Sequence, residues 1–202
     1  MRLTIGSAPD SWGVWFAEDP RQTPWQRFLD EIEEAGYAWT ELGPWGYLPT
    51  DLATLEDELA RRRLGVSGSF VMGDLARPDR SWPELERQLR GWGPTLKALG
   101  AGFLVLIDDS YTDLFTGELR APAVLDVAGF RRLIDTTRRI AEIARHDYDL
   151  ALVFHPHAET HVETEAQIEA LLAATEPELV ALCLDTGHHA YCGGDPVAFM
   201  RR

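Results

Sequence analysis

The chain has 202 residues, 45 % of them hydrophobic and 26 % charged, with a formal net charge of −14. That is the composition of one globular domain with a real core, and no apolar run reaches the roughly 20 residues that span a bilayer. The acidity and the lack of a basic patch exclude most nucleic-acid binders, which draw their affinity from phosphate contacts.

The first strand is expected over Leu3–Ile5, ending in Gly6-Ser7-Ala8-Pro9, and a loop with Trp12 and Trp15 follows. Thr23-Pro24 predicts a capped helix carrying Trp25, Phe28, Leu29 and Ile32 and closed by Gly36. The pattern then repeats. Ala38–Leu42 reads as a strand that exits through Glu41 into GPWGYLP. Thr50 precedes a helix with Leu52, Leu55 and Leu59, and Arg61, Arg62 and Arg63 read as its solvated end. Leu64–Val71 is a strand. Ser81 precedes a helix through Leu99 that Pro94 should kink or split. Gly102–Ile107 is a strand ending in Asp108-Asp109, and Val127–Ala144 is a helix with Phe130, Ile134, Thr137 and Ala141 on one face. Ala151–Phe154 is the fifth strand, Thr164 and Gln167 form a capping box, Val180–Leu184 is the sixth strand, and Asp195-Pro196 opens a sixth helix.

Strands apolar on both faces and alternating with helices predict a parallel sheet, hence an α/β fold. Polar residues end nearly every strand: Ser7, Glu41, Asp74, Asp109, His155 and Asp185. A doubly wound sheet gathers its site at one switch point, whereas a barrel draws on every strand, so the spread favours a (β/α)8 TIM-barrel type. No GxGxxG follows the first strand. Only about six β/α units are present, so a single domain over residues 1–202 is expected to be a barrel with its C-terminal part missing. Its open strand edges invite self-association, a possible homo-oligomer. The N-terminus lacks a signal-peptide pattern, and Cys183 and Cys192 make no disulfide framework, which fits a cytoplasmic protein.

All six histidines, His146, His155, His157, His161, His188 and His189, lie in or near the stretches Leu152–Thr164 and Leu182–Pro196. Imidazole and carboxylate at strand exits suit a divalent metal such as Mn, Co, Mg, Fe or Zn. Period-two alternation puts His155 and His157 on one side of their strand direction, within reach of the neighbouring exit. Glu41 could hydrogen-bond a ligand or brace the barrel mouth. Trp12 and Trp45 could form an apolar wall for a ligand or anchor loops, and Asp109 could line the mouth or cap the next segment. Glu159 and His161, in the loop above the fifth strand, are candidates for proton transfer or substrate contact.

With APDSWGVW, ELGPWGYLPTD, HPHAETHVET and DTGHHAYCGGDP, the sequence resembles the xylose isomerase-like sugar isomerases and epimerases, most of all their inosose dehydratase-like branch. The resemblance covers the whole chain. It implies a (β/α)8 barrel and a divalent metal, with Asp185 as the sixth-strand ligand and His155 where most members carry a glutamate ligand. It also implies that His188 touches substrate hydroxyls and that His157 is a neighbouring site residue. The family's seventh-strand histidine and eighth-strand glutamate have no counterpart. A histidine committed to the metal cannot easily serve as one of two bases, which tilts the expectation toward dehydration of a keto-polyol over ketose isomerisation or epimerisation. The expected activity is thus that of a divalent-metal-dependent lyase or isomerase acting on a sugar or cyclitol, with His157, His188 and Glu159 as catalytic candidates. Two other readings are weighed against it. A DNA-repair endonuclease shares the barrel but would need a basic face, and a truncated relative without activity would need a partner to complete it.

Overall fold

The computed structural model describes residues 4–202, and its strands and helices alternate from end to end. The strands are β1 (Gly6–Ser7), β2 (Trp39–Glu41), β3 (Gly65–Gly73), β4 (Phe103–Asp108), β5 (Ala151–Phe154) and β6 (Val180–Leu182). They form one sheet in the order β1-β2-β3-β4-β5-β6, every neighbouring pair parallel. Sequential order with no reversal is the order of a TIM barrel and not of a doubly wound sheet, so the open sheet fits a partial barrel.

The helices are α1 (Trp25–Glu34), α2 (Leu52–Arg61), α3 (Pro78–Ala98), α4 (Val127–Tyr148), α5 (Glu165–Ala174), α6 (Thr186–Tyr191) and α7 (Pro196–Met200). The core lies between this layer and the sheet, where Phe28, Ile32, Leu55, Leu89, Trp92 and Phe154 are fully buried. Among the described residues no helix is long and apolar enough to cross a membrane.

Several local expectations shift. Leu3, part of the expected first strand, lies outside the described residues, and the ladder forms at Gly6–Ser7. Thr23 does not cap α1; its hydroxyl turns to the Trp12 carbonyl. Asp51, not Thr50, caps α2, accepting from the Thr54 amide at 2.9 Å. Pro94 does not split α3, which runs unbroken over 21 residues through both Pro83 and Pro94. The lost backbone bonds are offset there by burial of Leu85, Leu89, Trp92 and Leu96. The capping box of Thr164 and Gln167 forms as expected, and Asp195 caps α7.

The largest correction concerns the arginines after α2. Arg61 and Arg63 are solvated, but Arg62 is only 4 % exposed. Its guanidinium donates to Asp30 at 2.7 Å and to the Glu58 carbonyl at 3.0 Å, tying α1 to α2. A charge can be buried there because its donors are satisfied and its stem packs as hydrocarbon. Arg62→Ala is expected to lower unfolding free energy by about 1–3 kcal/mol, while Arg61→Ala stays within about 0.5 kcal/mol. Urea melts of the two variants check this, and equal losses would contradict it.

Candidate functional site

Parallel pairing in register brings the exits of β4, β5 and β6 to one edge. Phe154 pairs with Leu182, and the Cys183 amide extends the ladder to the Phe154 carbonyl at 2.8 Å. On the other side the His155 amide bonds the Leu106 carbonyl at 2.9 Å. His155 is therefore held by backbone on both flanks, and His157 follows across Pro156.

Beyond β6 the chain turns at once into α6, a short helix not foreseen from sequence. Asp185 is its N-cap, with Oδ1 accepting from the His188 amide at 2.8 Å. That cap fixes the first turn and aims His188 back at the β5 exit. The His157 and His188 ring centroids lie 3.7 Å apart, and His155 is 5.7 Å from the former and 5.6 Å from the latter. Ring nitrogens of the three, one from each, fall within 4.8 Å of one another. All three rings are half-buried.

The electrostatics disfavour charge on two of these rings, His155 and His188. Burial, reinforced by His157 and His188, pushes His155 down to about 4 against the pull of Asp185. Burial and then His157 also lower His188, again against Asp185. Burial opposes the Asp185 carboxylate, but the His188 amide and the imidazoles of His188 and His155 hold it below its usual range. His157 sets its Nδ1 2.7 Å from the Ala158 carbonyl, an acceptor, so that Nδ1 is the donor in this bond. Three imidazole nitrogens this close together are a donor set that fits a divalent ion of the zinc kind. The structure thus groups His155, His157 and His188; Asp185, the other expected ligand, lies outside that set and is tied to it through the His188 amide.

The other expected site residues are placed differently. His161 is 6 % exposed, with Nδ1 2.7 Å from Asp108 and Nε2 3.2 Å from the Pro122 carbonyl. Both partners are acceptors, so the ring is a doubly protonated brace with no nitrogen left for a substrate; this corrects the expected contact. Asp108 is fully enclosed by this bond and by the Leu75 and His161 amides. Glu159 takes a left-handed backbone (φ +63°), and its carboxylate accepts from the Thr112 hydroxyl, so it too joins the loops after β4 and β5. The Trp12 indole donates to Glu31 at 2.6 Å and meets Phe28 edge-on, while Trp45 meets Trp92 edge-on at 4.7 Å. Both tryptophans anchor loops to the helical layer, where a large ring buries more area than at a wet mouth. Trp15, with Phe16 and Phe115, lines a separate surface pocket. Asp109 is exposed at the end of β4, its carboxylate accepting from the Ser110 amide. His189, one residue on from His188 and so about 100° around the helix, is buried against Phe199 and Glu165 instead.

Glu41 does face the lumen, in a cavity lined also by Ser7, Ser11, Tyr37 and Ser67. Sequence reading missed Asp10. It follows β1 in a 3-10 turn (Pro9–Trp12), and its charge is felt by Glu41 and interacts with His157. The signal available was its place after a strand exit, one more polar residue in APDSW.

Residues 29–202 match the family model described as xylose isomerase-like TIM barrel. An inosose dehydratase of Geobacillus kaustophilus is 30 % identical over 212 residues, covering 98 % of this chain and 65 % of the relative. The rhizopine catabolism protein MocC of Rhizobium meliloti is 34 % identical over 186 residues, 89 % of this chain and 54 % of that one. An inosose dehydratase of Lacticaseibacillus casei is 28 % identical, covering 100 % of this chain and 67 % of its own length. The chain thus spans between about half and two thirds of these relatives. Among solved structures, the IolI protein with a bound zinc atom superposes with a TM-score of 0.70 at 16 % identity, covering 99 % of this chain and 68 % of that one. A D-allulose 3-epimerase of Methylomonas sp. in complex with D-allulose gives 0.67 at 21 %, covering 93 % and 64 %. At these identities the superpositions show a shared fold.

The brace and the cluster respond to pH in opposite directions. Burial works against charge on His161, but Asp108 outweighs it and raises the pKa, so its stabilisation is full below the unfolded value near 6.5 and is lost as pH rises through the folded value. His155, lowered to about 4, does the reverse: its contribution is full above about 6.5 and is lost as pH falls toward 4. Wild type is therefore expected to lose more stability than His161→Gln between about pH 6 and pH 8.5, read by urea melts at each pH. Identical slopes would contradict the charged brace.

Proposed function

The chain belongs to the xylose isomerase-like TIM barrel family, and we propose that it is a metal-dependent enzyme that removes water from a cyclic polyhydroxy ketone, an inosose. The observation that carries this reading is the trio of half-buried imidazoles gathered at the exits of β5 and β6, next to the helix that Asp185 caps. The inosose dehydratases among the relatives support the substrate class, and the zinc of the IolI structure supports a divalent ion.

His155 and Asp185 would hold the ion: His155 through the lone pair that its lowered pKa keeps available, Asp185 through the carboxylate oxygen not bonded to the His188 amide. Bound there, a divalent ion supplies a Lewis acid that polarises the substrate carbonyl and acidifies the neighbouring C–H. His157 offers Nε2 as the proton acceptor, because its Nδ1 is committed to Ala158. His188, neutral and 3.7 Å from His157 between centroids, holds a substrate hydroxyl and orients the ring. One acceptor on one face is enough for elimination, whereas epimerisation needs acceptors on both.

Metal content by mass spectrometry and turnover of an inosose test the assignment together. Asp185→Ala is expected to lose metal and activity. His188→Ala should keep the metal and lose turnover by about 100-fold. Equal metal retention in wild type and Asp185→Ala would overturn it, and loss of metal from His157→Ala and His188→Ala would move the ion into the three-imidazole set. A product that retains every oxygen would mark the reaction as isomerisation or epimerisation.

A further inference from the structure

His157 opens a tight turn. Its carbonyl accepts from the Thr160 amide at 3.3 Å and from the Thr160 hydroxyl at 2.8 Å. Glu159 is the third residue of that turn and has φ +63°, a left-handed backbone that favours glycine or asparagine. A longer side chain persists there where its surroundings hold it. Glu159 is held on both faces of its backbone. Its carbonyl accepts from the Tyr111 amide at 2.9 Å and the Ser110 hydroxyl at 3.1 Å, and its amide donates to Glu163 Oε2 at 2.7 Å.

The helix that carries His188 needs holding for a different reason. α6 has six residues, fewer than two turns, and a helix that short is not stable by itself. Asp185 caps its start, and His189 packs on Phe199. Its C-cap is Cys192, whose amide bonds the His188 carbonyl at 3.0 Å and whose thiol donates to Glu163 Oε2 at 3.7 Å.

The turn and the helix therefore meet on one half-buried side chain. Glu163 Oε1 accepts from the Tyr111 hydroxyl at 2.9 Å, while Oε2 accepts from the Glu159 amide and the Cys192 thiol. The loop after β4, the loop after β5 and the end of α6 share this carboxylate. Burial and then the bond to Glu163 push Tyr111 up to about 12. Burial and then Glu163 raise Cys192 as well, so both groups keep the proton they donate. Bonds of this kind to a carboxylate are stronger than those between neutral groups.

We propose that Glu163 is a positioning residue whose carboxylate ties the turn of His157 to the helix of His188 and so sets the 3.7 Å spacing of the two rings. It acts through backbone on either side. Toward His157 the link is the Glu159 amide and the turn that closes on the His157 carbonyl. Toward His188 the link is Cys192, whose amide closes on the His188 carbonyl. A proton acceptor and a hydroxyl-holding group serve one substrate only at a fixed separation, and an error of about 1 Å costs about 100-fold in rate. The effect on turnover rests on the dehydration reading above; the spacing of the rings does not.

Nuclear Overhauser cross-peaks between the ring protons of His157 and His188 read that spacing directly in the purified full chain. They are assigned by their disappearance in His157→Gln and in His188→Gln. Wild type is expected to show them and Glu163→Ala to lose them, while the amide signals of β4 and β5 stay in place. Cys192→Ala is expected to lose them too, and Cys192→Ser to keep them, because the serine hydroxyl still donates to Glu163. The Cys192 pair decides the matter where Glu163→Ala does not fold. Absence of the cross-peaks in wild type, their persistence in Glu163→Ala, or an equal effect of Cys192→Ala and Cys192→Ser overturns the positioning role. With an inosose as substrate, Glu163→Ala is expected to lower kcat by about 100-fold while KM and bound metal stay unchanged. Unchanged kcat in that variant also overturns it. A wild type that turns over no inosose refutes the dehydration reading, and the cross-peaks still decide the role of Glu163.

Discussion

Everything at the site depends on parallel strands pairing in chain order. Six strands laid side by side without reversal send every C-terminal end to one edge. Covering the sheet with helices leaves those ends as the place where the chain can turn polar without burying an unpaired group. The bond from the Cys183 amide to the Phe154 carbonyl and that from the His155 amide to the Leu106 carbonyl carry the ladder one residue past the strands, into the site. His155 is consequently as rigid as the sheet. A one-residue slip of β5 would turn its side chain to the helical layer and leave Phe154 at the mouth.

Rigidity at the strand ends is joined to low polarity around them. The same enclosure that makes Phe154 and Leu106 a core strips water from His155 and His188 and lowers their affinity for a proton. Neutral imidazole is the form that can ligate or accept a proton, so packing and chemistry have one cause. The carboxylate of Asp185 survives in this setting because it caps α6: the helix amides repay part of its lost hydration. One residue thereby follows a strand, starts a helix and sets an anion against the His188 amide. At the exit of β2 burial acts the other way and raises Glu41 above its ordinary range.

The β–α alternation, the parallel sheet and the histidine-rich exits were legible because each follows from periodicity and from residue type at a boundary. Ala151–Phe154 and the capping box at Thr164 appear as read, since both signals are local. What was not legible depends on partners far away in sequence. Arg62 looks like any charged helix end until Asp30, 32 residues earlier, is placed beside it. His161 looks like a free loop histidine until the β4 end supplies Asp108, 53 residues back. Trp12 and Trp45 face the helical layer because α1 and α3 offer them rings to pack on. Pro94 stays inside one helix because tertiary burial exceeds a local penalty.

The claim that these exits form one metal-binding centre is tested most directly by crystals of the protein soaked in cobalt or zinc and measured at the absorption edge of the metal. The expected result is a single anomalous peak within ligand distance, about 2.0–2.2 Å, of one nitrogen of His155 and one oxygen of Asp185. An anomalous map with no peak between these two residues at saturating metal, or with the only peak elsewhere on the chain, contradicts it.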